Sequence, residues 1–287
     1  MTQSSTYQVA DWNGRSGEQW VANQARLDAM LAAFGDAAIA AAAPGEGEQV
    51  LDVGCGAGAT SQALAARVGP RGHVLGVDIS APLIDRAREA APAGAPLTFE
   101  LADAGTAALP GQAFDLLFSR FGVMFFDDPA AAFAHMRGSL KPGGRLAFVC
   151  GRGGAENGWV RLPMAAVASL VPLPPPPDPE APGPFSFGDS GRVVRILTDA
   201  GFTDVSIAPF DHPVPFGHGA TREAAVDNAV DMAFQVGPLA RLLAQQPDEI
   251  RARAAEAVRR AFAAKPGERS VMIDGAAWIV TARNPAG

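Results

Sequence analysis

Apolar residues recur along this chain with two distinct periods. Short apolar runs bounded by turn residues predict strands at Gln49–Val53, His73–Val77, Leu97–Leu101, Phe114–Ser119, Arg145–Cys150, Thr203–Ala208 and Val271–Thr281. Helical spacing appears between them. Leu27, Met30, Leu31 and Phe34 share one face of a helix that begins near Gly17, with Gly35 as a point of interruption and Pro44-Gly45 as its end. Ala59–Val68 turns Leu64 and Val68 inward, and Ser80 and Pro82 open a helix carrying Leu83, Ile84 and Ala87. Pro129 opens another that groups Phe133, Met136 and Leu140, stopped by Lys141-Pro142-Gly143-Gly144. Asp189 or Ser190 caps a helix with Val193, Val194, Ile196 and Leu197, ended by Gly201. The run at Phe114–Ser119 is almost wholly apolar, as in a strand covered on both faces. Strand–helix alternation of this kind predicts an α/β, doubly wound, mostly parallel sheet.

In such sheets ligands bind beyond the carboxyl ends of the strands. Asp52, Asp78, Asp103 and Ser119 all fall at or just past such ends. The stretch Val50 to Ser61, VLDVGCGAGATS, is the organising one: an apolar run enters Gly54, Gly56 and Gly58 at alternate positions and leaves into a helix. Glycines serve where φ is positive or a ligand comes close, and the unpaired amides of the following helix turn point to the same place. GCGAGA also satisfies the dinucleotide pattern G-x-G-x-x-G/A. Asp52 separates the two readings, because a carboxylate beside the turn disfavours a diphosphate and favours a cationic or zwitterionic ligand.

Five segments then carry a resemblance. D-x-G-C-G-x-G at Asp52–Gly58 is similar to the first motif of class I S-adenosylmethionine-dependent methyltransferases. VLGVDIS at Val74–Ser80 resembles their second strand with its acidic end, LADA at Leu101–Ala104 the corner that contacts adenine, FDLLFSRFGVMFF at Phe114–Phe126 the fourth strand and its loop, and LKPGGRLAFV at Leu140–Val149 the turn into the fifth. The resemblance is firm over roughly residues 48–150 and is nearest the small-molecule type of ubiquinone/menaquinone biosynthesis. It implies a seven-stranded Rossmann-like methyltransferase fold with a last antiparallel strand, a helical lid and insertion, and S-adenosylmethionine as cofactor. It also implies cofactor contacts at Asp52, Gly54, Cys55, Gly56, Gly58, Asp78, Ile79, Ala102, Asp103, Ala104, Ser119, Arg120 and Phe121, with Asp78 accepting both ribose hydroxyls. Trp12, Trp20, Met124, Phe125 and Phe126 are expected to wall the acceptor pocket, against the plainer reading that they pack in the core.

The expected organisation follows: a helical lid at 1–45, the cofactor-binding core at 46–150, a Gly/Pro-rich insertion at 151–188, the rest of the sheet at 189–210 and 269–287, and a helical insertion at 211–268. Trp159 to Val171 is expected to be a short helix, and further helices are expected near 221–235, 238–245 and 248–264. Pro172–Pro184 can be neither helix nor central strand and is a polyproline connector or a disordered loop. Segments 121–128, 151–188 and 211–268 should crowd above the cofactor.

Composition narrows the partners. The chain has 287 residues, is 48% hydrophobic and carries a formal charge of −7, which supports a large core and argues against a nucleic-acid surface. No secretory leader and no membrane-spanning run is evident, and with only two cysteines a disulfide framework is not expected, so a cytoplasmic, small-molecule enzyme is the reading, with a homodimer open. Asp127-Asp128 could hold magnesium but reads better as a cap before Pro129, so no metal is expected. His212 and His218 are weak candidates for a general base over the pocket, against a plain loop reading; His73 and His135 lie elsewhere. Two alternatives stay open: a cofactor-binding protein of this fold without methyl transfer, and an NAD-dependent oxidoreductase, which Asp52 and the LKPGG turn disfavour.

Overall fold

The computed structural model describes residues 9–175 and 178–286. Seven strands form one sheet: β1 (Gln49–Val53), β2 (His73–Asp78), β3 (Leu97–Leu101), β4 (Phe114–Arg120), β5 (Leu140–Gly151), β6 (Thr203–His218) and β7 (Ser270–Arg283), in the order β3-β2-β1-β4-β5-β7-β6. The pairings from β3 through β5 are parallel, whereas β7 runs antiparallel to both β5 and β6. The strand order reverses at β1, where neighbours β2 and β4 leave in opposite directions. The carboxyl end of β1 is therefore the crevice of the fold.

Ten helices of the described residues flank the sheet: α1 (Arg15–Ala22), α2 (Gln24–Ala42), α3 (Ala59–Val68), α4 (Ala81–Ala90), α5 (Pro129–Arg137), α6 (Gly158–Val167), α7 (Ser190–Asp199), α8 (Arg222–Gln235), α9 (Pro238–Leu243) and α10 (Asp248–Ala263). Their starts follow their sequences. Asp128 accepts a bond from the Ala131 amide at 3.0 Å, and Asp189 accepts from Gly191 and Arg192 at 2.7 and 3.3 Å. Among the described residues two large apolar cores result, beside a small one of Cys55, Ile84, Ala87 and Phe99. One joins α2, α3 and the insertion helices through Phe34, Leu64, Phe216, Val258 and Phe262; the other joins α5 and α7 through Phe133, Met136, Leu197 and Phe202.

Several boundaries differ from the sequence expectation. The break in the first helical stretch is at Asn23, between α1 and α2, while Gly35 lies inside α2 and leaves it unbroken. A Cβ at Gly35 would lie 3.2 Å from Arg120 Cδ, so the glycine makes room for that side chain. The helix opened by Pro129 ends at Arg137, and Leu140 and Lys141–Gly144 belong to β5 as an irregularity between the Phe114 and Leu116 pairings. Strand six runs on to His218, past Pro209, Pro213 and Pro215, so the insertion begins later than residue 211. An edge strand tolerates prolines because an amide facing outward has no ladder partner to lose. These three share one parity, so their missing amides fall on one side. Pro172–Pro184 is neither helix nor strand, with residues 176–177 outside the description, and its end is tied down where the Gly183 amide donates to the Met124 carbonyl at 3.0 Å.

Candidate functional site

The turn from β1 into α3 needs positive φ at Gly54 (+64°) and Gly56 (+56°), for different reasons. A Cβ on Gly54 would lie 2.7 Å from the Cα of Gly122, so the glycine lets the loop after β4 press against the turn. A Cβ on Gly56 would meet nothing within 4 Å: it faces open space. Asp78, the last residue of β2, stands beside that space. Its Oδ2 accepts from the Gly56 amide at 2.8 Å and its Oδ1 from the Ser80 amide at 2.9 Å. Burial raises its pKa, opposed by the Ser80, Gly56 and Ile79 amides. A charged acceptor is thus aimed into the crevice with its geometry set by backbone. Past β3, the Asp103 carboxylate accepts from the Gly105 amide at 2.9 Å, shaping the corner Ala102–Ala104.

The end of β4 closes the other side. The Ser119 hydroxyl donates to the Val53 carbonyl at 2.7 Å and accepts from the Gly122 amide at 3.1 Å, stitching β4 to β1. Phe121 sits at φ +60°, a region costly for a bulky residue and found where surrounding structure holds it. Arg120 pairs with Asp28 of α2 at 3.0 Å, and its positive charge also favours the ionised form of the buried Asp52.

An N-terminal cover completes the enclosure. Residues 9–12 form a helical turn and α1 follows. Asn13 donates to the Ile79 carbonyl at 2.8 Å and accepts from the Ala81 amide at 2.9 Å, and the Ser80 hydroxyl donates to the Trp12 carbonyl at 2.6 Å. Ser80 therefore occupies the N-cap position of α4 without capping it by its side chain; its hydroxyl fastens the cover instead. At the other end, Asn23 donates to Gln235 at 2.8 Å, and Arg26 bonds Asn23 and Asp231 at 2.8 and 2.9 Å, joining the cover to α8.

One cavity of about 670 Å³ lies in this enclosure. Of the residues singled out from sequence, the structure places Gly54, Gly56, Asp78, Ile79, Ala102, Asp103, Ala104, Arg120 and Phe121 on its wall, with Trp12, Trp20, Met124, Phe125 and Phe126. Four others lie behind it. Asp52 has no exposed surface, and its Oδ2 accepts from the Thr60 and Ser61 hydroxyls at 2.8 and 2.6 Å, so it braces the start of α3 rather than facing a ligand. Burial pushes its pKa up to about 6 against those hydroxyls and Arg120. Cys55 packs with Ile84, Ala87 and Phe99, its thiol pushed well up by burial, and Gly58 is held under Phe99, whose ring a Cβ would meet at 2.7 Å. Ser119 is buried by its two bonds. The histidine candidates do not reach the cavity either. His212 lies exposed in β6, stacked on Phe210 at 5.9 Å, and His218 is exposed at the far end of that strand, because the strand continues where a loop was expected.

All three segments expected above the crevice contribute wall residues, and those of the second and third were not read from sequence. Trp159 and Phe185 come from the second, and Phe216, Met232 and Val236 from the third. Trp159, Phe216 and Met232 sit in ordinary helix or strand patterns and Phe185 in a Pro/Gly-rich turn, so only the chain path distinguishes them from core or loop. Asp128 is taken up as the cap of α5, and the described residues hold no cluster of metal-binding type.

The methyltransferase-domain family matches residues 50–144. Aklanonic acid methyltransferase DauC of Streptomyces sp. (strain C5) is 40% identical over 107 residues, covering 37% of this chain and 49% of its own. Nocamycin O-methyltransferase of Saccharothrix syringae is 32% identical over 180 residues, 56% of this chain and 61% of its own. The chain thus spans about half to three-fifths of the length of these relatives. A candidate methyltransferase of Bacillus halodurans C-125 shares the fold at 19% identity, with a TM-score of 0.53, over 88% of this chain and 98% of its own. Residues 50–144 thus match the methyltransferase-domain family, and the seven-stranded order β3-β2-β1-β4-β5-β7-β6 with its glycine turn after β1 is the fold shared with that solved structure.

Proposed function

We propose that this protein binds S-adenosylmethionine in the crevice beyond β1 and β2 and passes its methyl group by direct displacement to an oxygen, nitrogen or carbon of a small molecule. The observation that carries the reading is the Asp78 carboxylate, set by the Gly56 and Ser80 amides beside the open face of Gly56. A cis-diol is what such a carboxylate receives well, through two charge-assisted bonds. The residues present fit the cofactor: Asp78 takes the ribose hydroxyls, Asp103 and Ala104 the adenine, Gly54 and Gly56 the close-lying chain, and Arg120 the carboxylate of the methionyl end. When bound, the cofactor supplies an already activated methyl group. The chain's own work is to hold, align and keep water out. The buried Asp52 adds negative charge beneath the turn, which favours a cationic ligand without touching it. A cytoplasmic setting agrees with two buried free cysteines, and the charge of −7 favours a small-molecule acceptor over nucleic acid. Among the described residues no helix is long and apolar enough to cross a membrane.

The test is calorimetric titration with S-adenosylmethionine, S-adenosylhomocysteine and NAD⁺. Micromolar binding of the two adenosyl ligands is expected, weakened about tenfold or more in Asp78→Ala, since a bond to a charged group is worth about 1.5–3 kcal/mol. Binding of NAD⁺ alone, or of none of the three, would sink the proposal.

A further inference from the structure

The cavity has two chemically different ends, and the sheet order sets them apart. The polar wall groups Asp78 and Asp103 stand at the ends of β2 and β3. Trp159, Phe185, Phe216 and Met232 come from segments that follow β5 or belong to the β6–β7 side. From β2 to β7 is four strand steps, about 19 Å at ~4.8 Å each. A cavity of about 670 Å³ stretched this way takes a cofactor at one end and leaves the other to a second molecule.

That second end is aromatic and uncharged. Trp159 stacks on Phe185 with ring centres 5.6 Å apart and planes inclined by 30°. Phe216 of β6 adds a third ring to this part of the wall, while the Trp12, Trp20 and Phe125 cluster, held to Ser80, stands at the Asp78 end. The polar side chain among them, Asn157, is already committed: its Oδ1 accepts from the Ala276 amide at 3.1 Å, and its Nδ2 donates to the Ala276 and Gly153 carbonyls at 3.1 Å. Arg120 is turned to Asp28 at the β4 end.

We infer that the methyl acceptor is an uncharged aromatic molecule bound against Trp159, Phe185 and Phe216. This rests on the proposed cofactor site, whose occupant fills the opposite end. A charged acceptor would lose its hydration among Trp159, Phe185, Phe216 and Met232, none of which carries a charge to offset that loss, which is costly. A saturated ligand of equal size would gain only from burial. An aromatic one gains in addition from edge and offset contacts, about 0.5–1.5 kcal/mol per ring pair.

Equilibrium dialysis of the S-adenosylhomocysteine-loaded protein tests the inference with three probes: 2,6-dihydroxyanthraquinone, the saturated diol 5α-androstanediol and phosphoethanolamine. The anthraquinone should bind at micromolar concentration and at least about tenfold tighter than either other probe. Trp159→Ala should weaken it about tenfold, and Met232→Trp, which fills the same end, should abolish it; S-adenosylhomocysteine affinity, unchanged in both, reports that each variant is folded. Tighter binding of the diol or of phosphoethanolamine, binding of no probe to the loaded protein, or anthraquinone binding unaffected by both substitutions overturns the inference while leaving the cofactor reading intact. Failure of S-adenosylhomocysteine to bind the unsubstituted protein would instead overturn that reading.

Discussion

Glycines 54 and 56 look alike in the chain and act differently in the fold. Both have positive φ, but a methyl group at 54 runs into the Gly122 backbone, while one at 56 enters open space. Gly54→Ala should therefore lower the melting temperature well beyond the cost of φ alone. Gly56→Ala should lose only about 1–2 kcal/mol of stability, yet lose cofactor binding, because the methyl occupies the ligand's side. Thermal melts paired with calorimetry separate the two, and equal behaviour of the variants would contradict this division. Asp52 makes a prediction about pH. Its pKa is raised to about 6, from about 3.9 in an unfolded chain, so the folded state holds the proton more tightly. The stability this contributes is full below about pH 4 and is lost as pH rises through about 6, on the order of 3 kcal/mol. Asp52→Asn, which keeps an acceptor for Thr60 and Ser61, should gain stability relative to the wild type across that window. A stability difference that stays constant from pH 4 to 7 would refute it.

At the scale of elements, the N-terminal cover is fastened at its two ends by different chemistry. Near the crevice, Asn13 and Ser80 tie it to the same Ile79–Ala81 backbone that shapes Asp78's surroundings. Far from it, Asn23 and Arg26 bind α8. Gly17 permits the close approach, since a Cβ there would lie 2.8 Å from the Ser80 hydroxyl. Asn13→Ala removes, besides a local bond to Val9, the two bonds that tie the cover to Ile79 and Ala81, of about 1 kcal/mol each. It should weaken S-adenosylhomocysteine binding by several-fold up to about thirtyfold and speed tryptic cleavage at Arg15. Unchanged affinity and unchanged cleavage together would show that the cover does not contribute to holding the ligand. The edge strand β6 teaches a related lesson. Its prolines argue against strand on local grounds, and only its position at the rim, with β7 on one side alone, makes sixteen residues of strand possible.

The insertion helices share a core with the sheet, so the described residues are expected to unfold as one cooperative body. Val258 and Phe262 of α10 belong to the same cluster as Leu64, Phe118 and Val149, and Phe262 packs on Phe216 with ring centres 5.4 Å apart. Phe262→Ala should therefore cost about 3–5 kcal/mol and shift the single denaturant transition as a whole. A separate early step, with the main transition unmoved, would show the insertion to be an independent unit. Much of this molecule was determined by sequence alone: the strand and helix alternation, the glycine turn and the acidic ends of β1, β2 and β3 are local patterns, set by backbone freedom and hydrophobic period. What only tertiary structure decided is which of those residues face the crevice. Asp52 and Asp78 each bring a carboxylate to the carboxyl end of a strand, but pairing with Thr60 and Ser61 takes one inward, while the Gly56 and Ser80 amides set the other beside open space. Trp159, Phe185 and Phe216 likewise became wall rather than core through the path of β5, β6 and β7. A side chain's period tells that it is buried; what it is buried against depends on residues outside its own element.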